Sequence, residues 1–309
     1  MLTLADIHPI ARTFGSLLVG SPQRHGALTV FPLFTSALSA PRWVTLDDAG
    51  DRVRITEVDE AGAVHRLAVL NDAPHPLLLL GGEELIARQN RVLGTTVLVP
   101  ARSRLTIPVS CVEHGRWSYR GPGLSSGDAS LFASVRAKKA AWINRSIRSG
   151  RGHAGNQRAL WDELASKAAE HQLDSPTGAM RDFCACFQNE LAAARRALAP
   201  VAGQVGALVY LAGRWAGLDL LASPALFSRG WPRLAMGYAA DALGAPPGCR
   251  SVDHVDGVLE TLSRCRADVS LAVGLGTEHR FTSATVVGTA LVAEDLVAHL
   301  MAFPGSTRQ

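Results

Sequence analysis

Residues 52–70 read RVRITEVDEAGAVHRLAVL. Two short runs rich in Val, Ile, Thr and Leu flank the turn element EAG, and that combination predicts a β-hairpin. Working outward, LTVFPLF, the LLLL run, TTVLVP and RLTIPVSCVE have the same character and are separated by Gly, Pro, Asn and Asp. The gaps leave no room for crossover helices, so the stretch from about 28 to 121 predicts a mainly antiparallel sheet, as a β-sandwich or a strongly curved sheet.

Beyond GPGLSSGD the period changes. Leu131, Val135, Trp142 and Ile147 recur at helical spacing, with Ser126 or Asp128 available as an N-cap. A second helix is expected from about 156 to 171 through Trp161, Leu164 and Ala168. A third is marked by Ser175, Pro176 and Thr177, then Met180, Phe183, Cys184, Phe187 and Leu191. From 201 the pattern is mixed: GALVYLAGRWAGLDLL reads as a hairpin, SPALFSRGWPRLAMGYAADAL as a helix opened by Ser223 and Pro224, and VDHVDGVLETLSRC as another helix. The tail reads as three or four strands. The expected fold class is therefore α+β. It comprises a β-rich region at 1–124, a helical region at 125–200 and a mixed region at 201–309, assembled into one compact domain.

The 309 residues are 47% hydrophobic, enough for a substantial core and too apolar for a disordered chain. Asp6 precedes any Lys or Arg, which argues against a secretory signal, and no apolar run reaches the roughly 18 residues of a membrane span. A soluble, cytoplasmic protein is expected. Five cysteines at irregular spacing, and histidines lacking H-x-x-x-H or H-E-x-x-H spacing, predict reduced thiols, no metal and no cofactor. The formal charge of +4 gives little reason to expect a polyanionic partner.

GRGHAG at 150–155 matches G-x-G-x-x-G but joins two helices and lacks a βαβ unit, so it is not a dinucleotide fingerprint. Amides opening the helix after Gly155 could still receive a phosphate. Around it Arg136, Lys138, Lys139, Arg145, Arg148, Arg151 and Arg158 form a basic run with no acidic residue between 129 and 161. A solvated helix face explains such a run more simply than nucleic acid, because the interleaved aromatics of a single-strand binder are missing.

Two stretches carry more polar chemistry than folding requires. In IPVSCVEHGRW, strand alternation sets Ile107, Val109, Cys111 and Glu113 on one face, so a thiol and a carboxylate lie among aliphatic side chains. His114 would fall on the opposite face, which makes a Cys111/His114 dyad poor. In GGEELIARQNR, Glu83 or Glu84 supplies a candidate base or ribose contact, while Gln89, Asn90 and Arg91 suit a phosphate, carboxylate or nucleobase edge. Arg116 and Trp117 add a cation and a stacking surface. The competing explanation is a buried Glu–Arg network that staples strands.

GEELIARQNRVLGTTVLVP followed by LTIPVSCVEHGRWSYR resembles the first type of the ADP-ribosylglycohydrolase and rhodanese-phosphatase superfamily associated protein domain, over nearly the whole chain. The matching positions are Gly82, Glu83, Glu84, Gln89, Asn90, Arg91, Cys111, Glu113, Gly115, Arg116, Trp117 and Tyr119, with Asp219 and His299 as weaker additions. The resemblance implies a role beside enzymes of NAD and ADP-ribose metabolism, with the reaction undefined. The expectation is a pocket for a nucleotide-like ligand and a hydrolase-type chemistry. Glu83, Glu84, Glu113 and Cys111 are the catalytic candidates; Gln89, Asn90, Arg91, Arg116, Trp117 and Tyr119 are the ligand contacts. The alternative is a non-catalytic binding or interaction module.

Overall fold

The computed structural model describes residues 2–37, 40–58, 65–86, 90–113, 125–175, 178–246 and 255–305. It is α+β, and all of its strand pairs are antiparallel. The opening stretch does pair on itself: Val53–Glu57 runs against Arg66–Asn71, with Ile55 opposite Val69. It forms one edge of a six-stranded sheet that continues through Ser103–Cys111, Arg91–Leu93 and Glu83–Ile86 to Ser125–Ser130. A two-stranded sheet, Leu77–Leu79 with Val97–Val99, packs on it. Ile55, Leu67, Val69, Leu79, Leu93, Val97, Ile107 and Val109 make the shared core.

A ten-stranded sheet joins sequence that is far apart. Its middle is the hairpin Gly206–Leu211 and Arg214–Leu221; Leu28–Thr35 lies on one side and Leu296–Pro304 on the other. Alternation along these strands sends their residues to two different cores. Leu208, Tyr210, Leu218, Leu220 and Leu300 face the helices His8–Gly15 and Val255–Ser263. Ala207, Val209, Leu221, Met301 and Phe303 face the larger core beneath the helices Ala133–Arg148 and Pro224–Ala242. Both faces are thus covered by helices, as the sheet's near-continuous apolar runs require.

Local chemistry explains most boundaries. The helix Pro224–Ala242 begins where expected: the Ser223 side chain accepts from the Leu226 amide and Pro224 fills the first turn. The tail forms four strands, and the second helix runs over Gln157–Glu170 with Asn156 as cap. The expected third helix is broken into Met180–Cys186 and Gln188–Ala197. The expected cap at Ser126 or Asp128 is corrected, because Ser125–Ser130 is a strand on Glu83–Ile86 and the helix starts only at Ala133. Ladder bonds to a neighbouring strand override a local capping preference there. Among the described residues, no helix is long and apolar enough to cross a membrane.

One close approach fixes how the Pro224–Ala242 helix seats. A β-carbon on Gly237 would overlap the Leu131 carbonyl oxygen, a backbone atom that cannot swing aside. Gly237→Ala is therefore expected to cost about 1–3 kcal/mol, despite the roughly 1 kcal/mol that alanine contributes to an isolated helix. Urea unfolding of the variant checks the sign, since a gain would mean the helix can shift freely.

Candidate functional site

The strands Glu83–Ile86 and Arg91–Leu93 form a hairpin, and the second of them pairs with the end of Ser103–Cys111, setting Arg91 opposite Cys111. This places Glu84, Asn90, Arg91, Cys111 and Glu113 in one buried cluster. Asn90 joins the two carboxylates: its side-chain amide donates to Glu84 Oε1 at 3.1 Å and its backbone N–H to Glu113 Oε2 at 3.2 Å. Glu84 is 2% exposed and Glu113 is 6% exposed, so each carboxylate relies on such donors. Glu83 is the strand neighbour of Glu84 and points the other way. Its Oε2 accepts from the Leu80 amide and its Oε1 lies 3.6 Å from Arg233 on the Pro224–Ala242 helix.

Arg91 turns toward the sheet. Its Nη1 donates to Cys111 Sγ at 3.5 Å and its Nη2 lies 3.8 Å from Glu57 Oε1, while its Nε is buried with no hydrogen-bond partner among the described residues. Burial pushes the Cys111 thiol up, and the opposing influences of the Glu113 carbonyl and Arg91 do not cancel it. The thiol therefore stays protonated near neutral pH and donates to the Glu113 carbonyl at 3.0 Å. Gln157 clamps the same residue from the Gln157–Glu170 helix, with Oε1 accepting from Cys111 N at 2.9 Å and Nε2 donating to Cys111 O at 2.7 Å. Gln89, Arg116, Trp117 and Tyr119, like His114, lie outside the described residues.

Behind the cluster a second network is sealed from solvent. Arg136 grips Asp219 with two bonds, Nη1 to Oδ2 at 3.0 Å and Nη2 to Oδ1 at 2.5 Å. The Tyr238 hydroxyl donates to Asp219 Oδ2 at 2.8 Å. His299 Nε2 lies 3.1 Å from Asp219 Oδ1 and its Nδ1 lies 2.6 Å from Thr96 Oγ1. Because a carboxylate can only accept, the neutral ring must carry its proton on Nε2, and Thr96 donates to Nδ1 while accepting from the Gly81 amide at 3.0 Å. This triad-like chain is sealed from substrate, since all its side chains are buried.

The preceding threonine anchors a third network. Thr95 donates to Glu278 Oε1 and accepts from Arg280 Nη2, both at 2.8 Å. Arg280 also donates to Glu278 Oε2 and to the side-chain oxygen Oδ1 of Asn144, and His153 Nε2 lies 2.8 Å from Glu278 Oε2. Adjacent threonines thus tie the two-stranded sheet to the ten-stranded one through separate ionic clusters.

The basic run needs correcting. Arg136 and Lys139 are buried, Lys138 pairs with Glu163 at 2.6 Å, and Arg148 pairs with Asp268 at 2.8 Å. The partners lie outside the 129–161 window, so local composition overstates the free positive charge. A signal was nevertheless present. Phe132, Arg136, Lys139 and Ile143 follow a helical apolar stripe, which puts two cations on the inward face. Among the described residues, no group of His, Cys, Asp or Glu could hold a metal ion.

These residues fall within a family match. The model for ARPP-1, the ARG and Rhodanese-Phosphatase-superfamily-associated Protein domain, covers residues 16–303. The chain belongs to the ARPP-1 family. Comparison with curated proteins and with solved structures returns no match. The ARPP-1 match spans all three hydrogen-bonded networks, including the Asp219–His299 contact that joins two distant sequence segments.

Proposed function

We propose that this ARPP-1 chain binds an ADP-ribose- or NAD-related ligand and hydrolyses it, with Glu84 and Glu113 as the acid/base pair. The observation that carries the reading is the Asn90 bridge, which holds to one residue two buried carboxylates, Glu84 from the strand Glu83–Ile86 and Glu113 from just beyond the strand Ser103–Cys111. Two such carboxylates provide the elements of general acid/base chemistry. Gln89, Arg116, Trp117 and Tyr119 are proposed to supply phosphate and ring contacts, with Arg91 and Cys111 supporting the strands beneath. Glu83, held by Leu80 and Arg233, is assigned a positioning role. The family description supports functional association with ADP-ribose-processing enzymes. The described cysteines are free thiols, which suits a cytoplasmic setting.

Calorimetry with ADP-ribose and NAD tests the reading. Saturable binding is expected, and Glu113→Gln should retain binding and the fold while losing turnover by about 10²-fold or more. Absence of binding to either compound removes the proposal. The second reading, a non-catalytic interaction module, is favoured by the burial of the cluster and by the Arg91 contacts to Cys111 and Glu57. On that reading Glu113→Gln lowers the melting temperature and no turnover exists to lose.

A further inference from the structure

Lys139 and Ser110 form a pair that neither the Asn90 cluster nor the ionic networks use. Lys139 Nζ lies 2.5 Å from Ser110 Oγ, and each residue is 3% exposed. No carboxylate of the described residues lies within ion-pair distance of this ammonium. An uncompensated buried ammonium is costly, and a hydrophobic side chain would fill the position more cheaply. Such groups concentrate at sites of chemistry. Ser110 projects from the opposite face of its strand to Cys111, so the pair is separate from the Asn90 cluster.

Two glycines flank the pair. A β-carbon on Gly94 would come 3.1 Å from Lys139 Cε, and one on Gly155 would come 3.0 Å from Ser110 Oγ and 3.2 Å from Lys139 Nζ. Gly155 also lines a cavity of about 420 Å³, together with His65, Arg66, Pro108 and His153. Among the described residues its ionisable lining is two imidazoles and a guanidinium, with His153 held by Glu278 and Arg66 left to meet a negative charge. Gly155 thus touches both: it lines the cavity, and its α-carbon faces the Ser–Lys pair.

We propose that Ser110 and Lys139 are a nucleophile and its general base, cleaving a carboxylic ester that carries a negative charge and enters through the His65–Arg66–His153 cavity. Neutral Lys139 takes the Ser110 hydroxyl proton as Oγ bonds to the ester carbonyl carbon. The carbonyl re-forms as the bond to the alcohol oxygen breaks, and the departing alkoxide takes the proton from Lys139. Water then repeats the sequence: Lys139 takes one water proton, the water oxygen bonds to the acyl carbon, and Ser110 leaves and regains a proton. Ester and water become acid and alcohol, with no change in oxidation state. Burial pushes the Lys139 ammonium down to about 8, so the neutral amine needed as base becomes available near that pH.

The test is labelling of the intact chain with a fluorophosphonate, the modified residue being located by peptide mass spectrometry. An adduct on Ser110 is expected, forming faster as the pH rises through about 8. Lys139→Met should slow it by about 10²-fold or more, and Gly155→Ala should slow it by crowding Ser110 Oγ. No Ser110 adduct on the wild-type chain between about pH 7 and pH 10 overturns the proposal. So does an adduct whose rate is indifferent to Lys139→Met in a variant that still melts cooperatively. For the substrate charge, 4-nitrophenyl hemisuccinate should be hydrolysed faster than 4-nitrophenyl acetate, with the preference reduced in Arg66→Gln; equal rates overturn that assignment.

Discussion

Asp219→Ala is expected to lower the unfolding free energy by about 3–5 kcal/mol, read as an earlier midpoint in urea. The carboxylate is the shared acceptor of Arg136, Tyr238 and His299, all buried. Removing it leaves a guanidinium uncompensated, a phenol without its acceptor and an imidazole N–H unpaired. The double variant Asp219→Leu with Arg136→Met should recover most of the loss, because it removes the charge along with its partner. An equal loss in both variants would trace the cost to packing.

The same network sets an acid limit. Burial lowers the His299 ring below its ordinary 6.5, and the Asp219 carboxylate pulls upward without overcoming it. The folded state therefore keeps the ring neutral, and its stability is fully present above that ordinary value. It falls as the pH drops below 6.5, because the unfolded chain takes up a proton that the folded ring resists. Burial lowers His279 too, adding to the same window. For Asp219, burial opposes ionisation, yet Arg136 and His299 outweigh it and hold the carboxyl far below 3.8. Its contribution is therefore present above 3.8 and lost as the pH falls further.

Lys139→Met is expected to stabilise the fold by about 1–3 kcal/mol at pH 7, even though it removes the bond to Ser110. Methionine fills a similar volume without an ammonium to desolvate. The pH dependence gives a sharper check. The amine releases its proton near 8 in the fold but only near 10.5 when unfolded, so wild-type stability rises with pH across that interval. The advantage of the variant should shrink over the same range. Paired urea titrations at the two ends measure it, and a constant difference would mean that Lys139 is not held in a desolvated position. A variant both more stable and unreactive at Ser110 would show stability given up for chemistry.

Much of the fold was legible locally. Val53–Glu57 and Arg66–Asn71 follow from two apolar runs around a turn, and Ser223 with Pro224 announces the helix Pro224–Ala242 by satisfying and omitting terminal donors. The N-terminal helix His8–Gly15 went unread, although Pro9 in its first turn is a starting signal. The strand at Ser125–Ser130 was less readable, since a serine- and glycine-bearing stretch has weak strand propensity and is held by Glu83–Ile86.

The candidate site divides in the same way. Polar residues interrupting the strands marked Glu84, Asn90, Arg91, Cys111 and Glu113 as a group, and register brings them together. The sequence did not reveal that Asn90 joins Glu84 to Glu113, that Glu83 turns away to Arg233, or that Gln157 clamps Cys111 from 46 residues away. Nor could local charge separate Arg136, which finds Asp219 across 83 residues, from Lys139, whose described partner is a hydroxyl. By itself the sequence determined the antiparallel α+β character, most element types and the family, because periodicity, turn chemistry and motif strings act over a few residues. The tertiary structure alone decided which charges are neutralised and which side chains share a site, because those depend on contacts between strands and helices far apart along the chain.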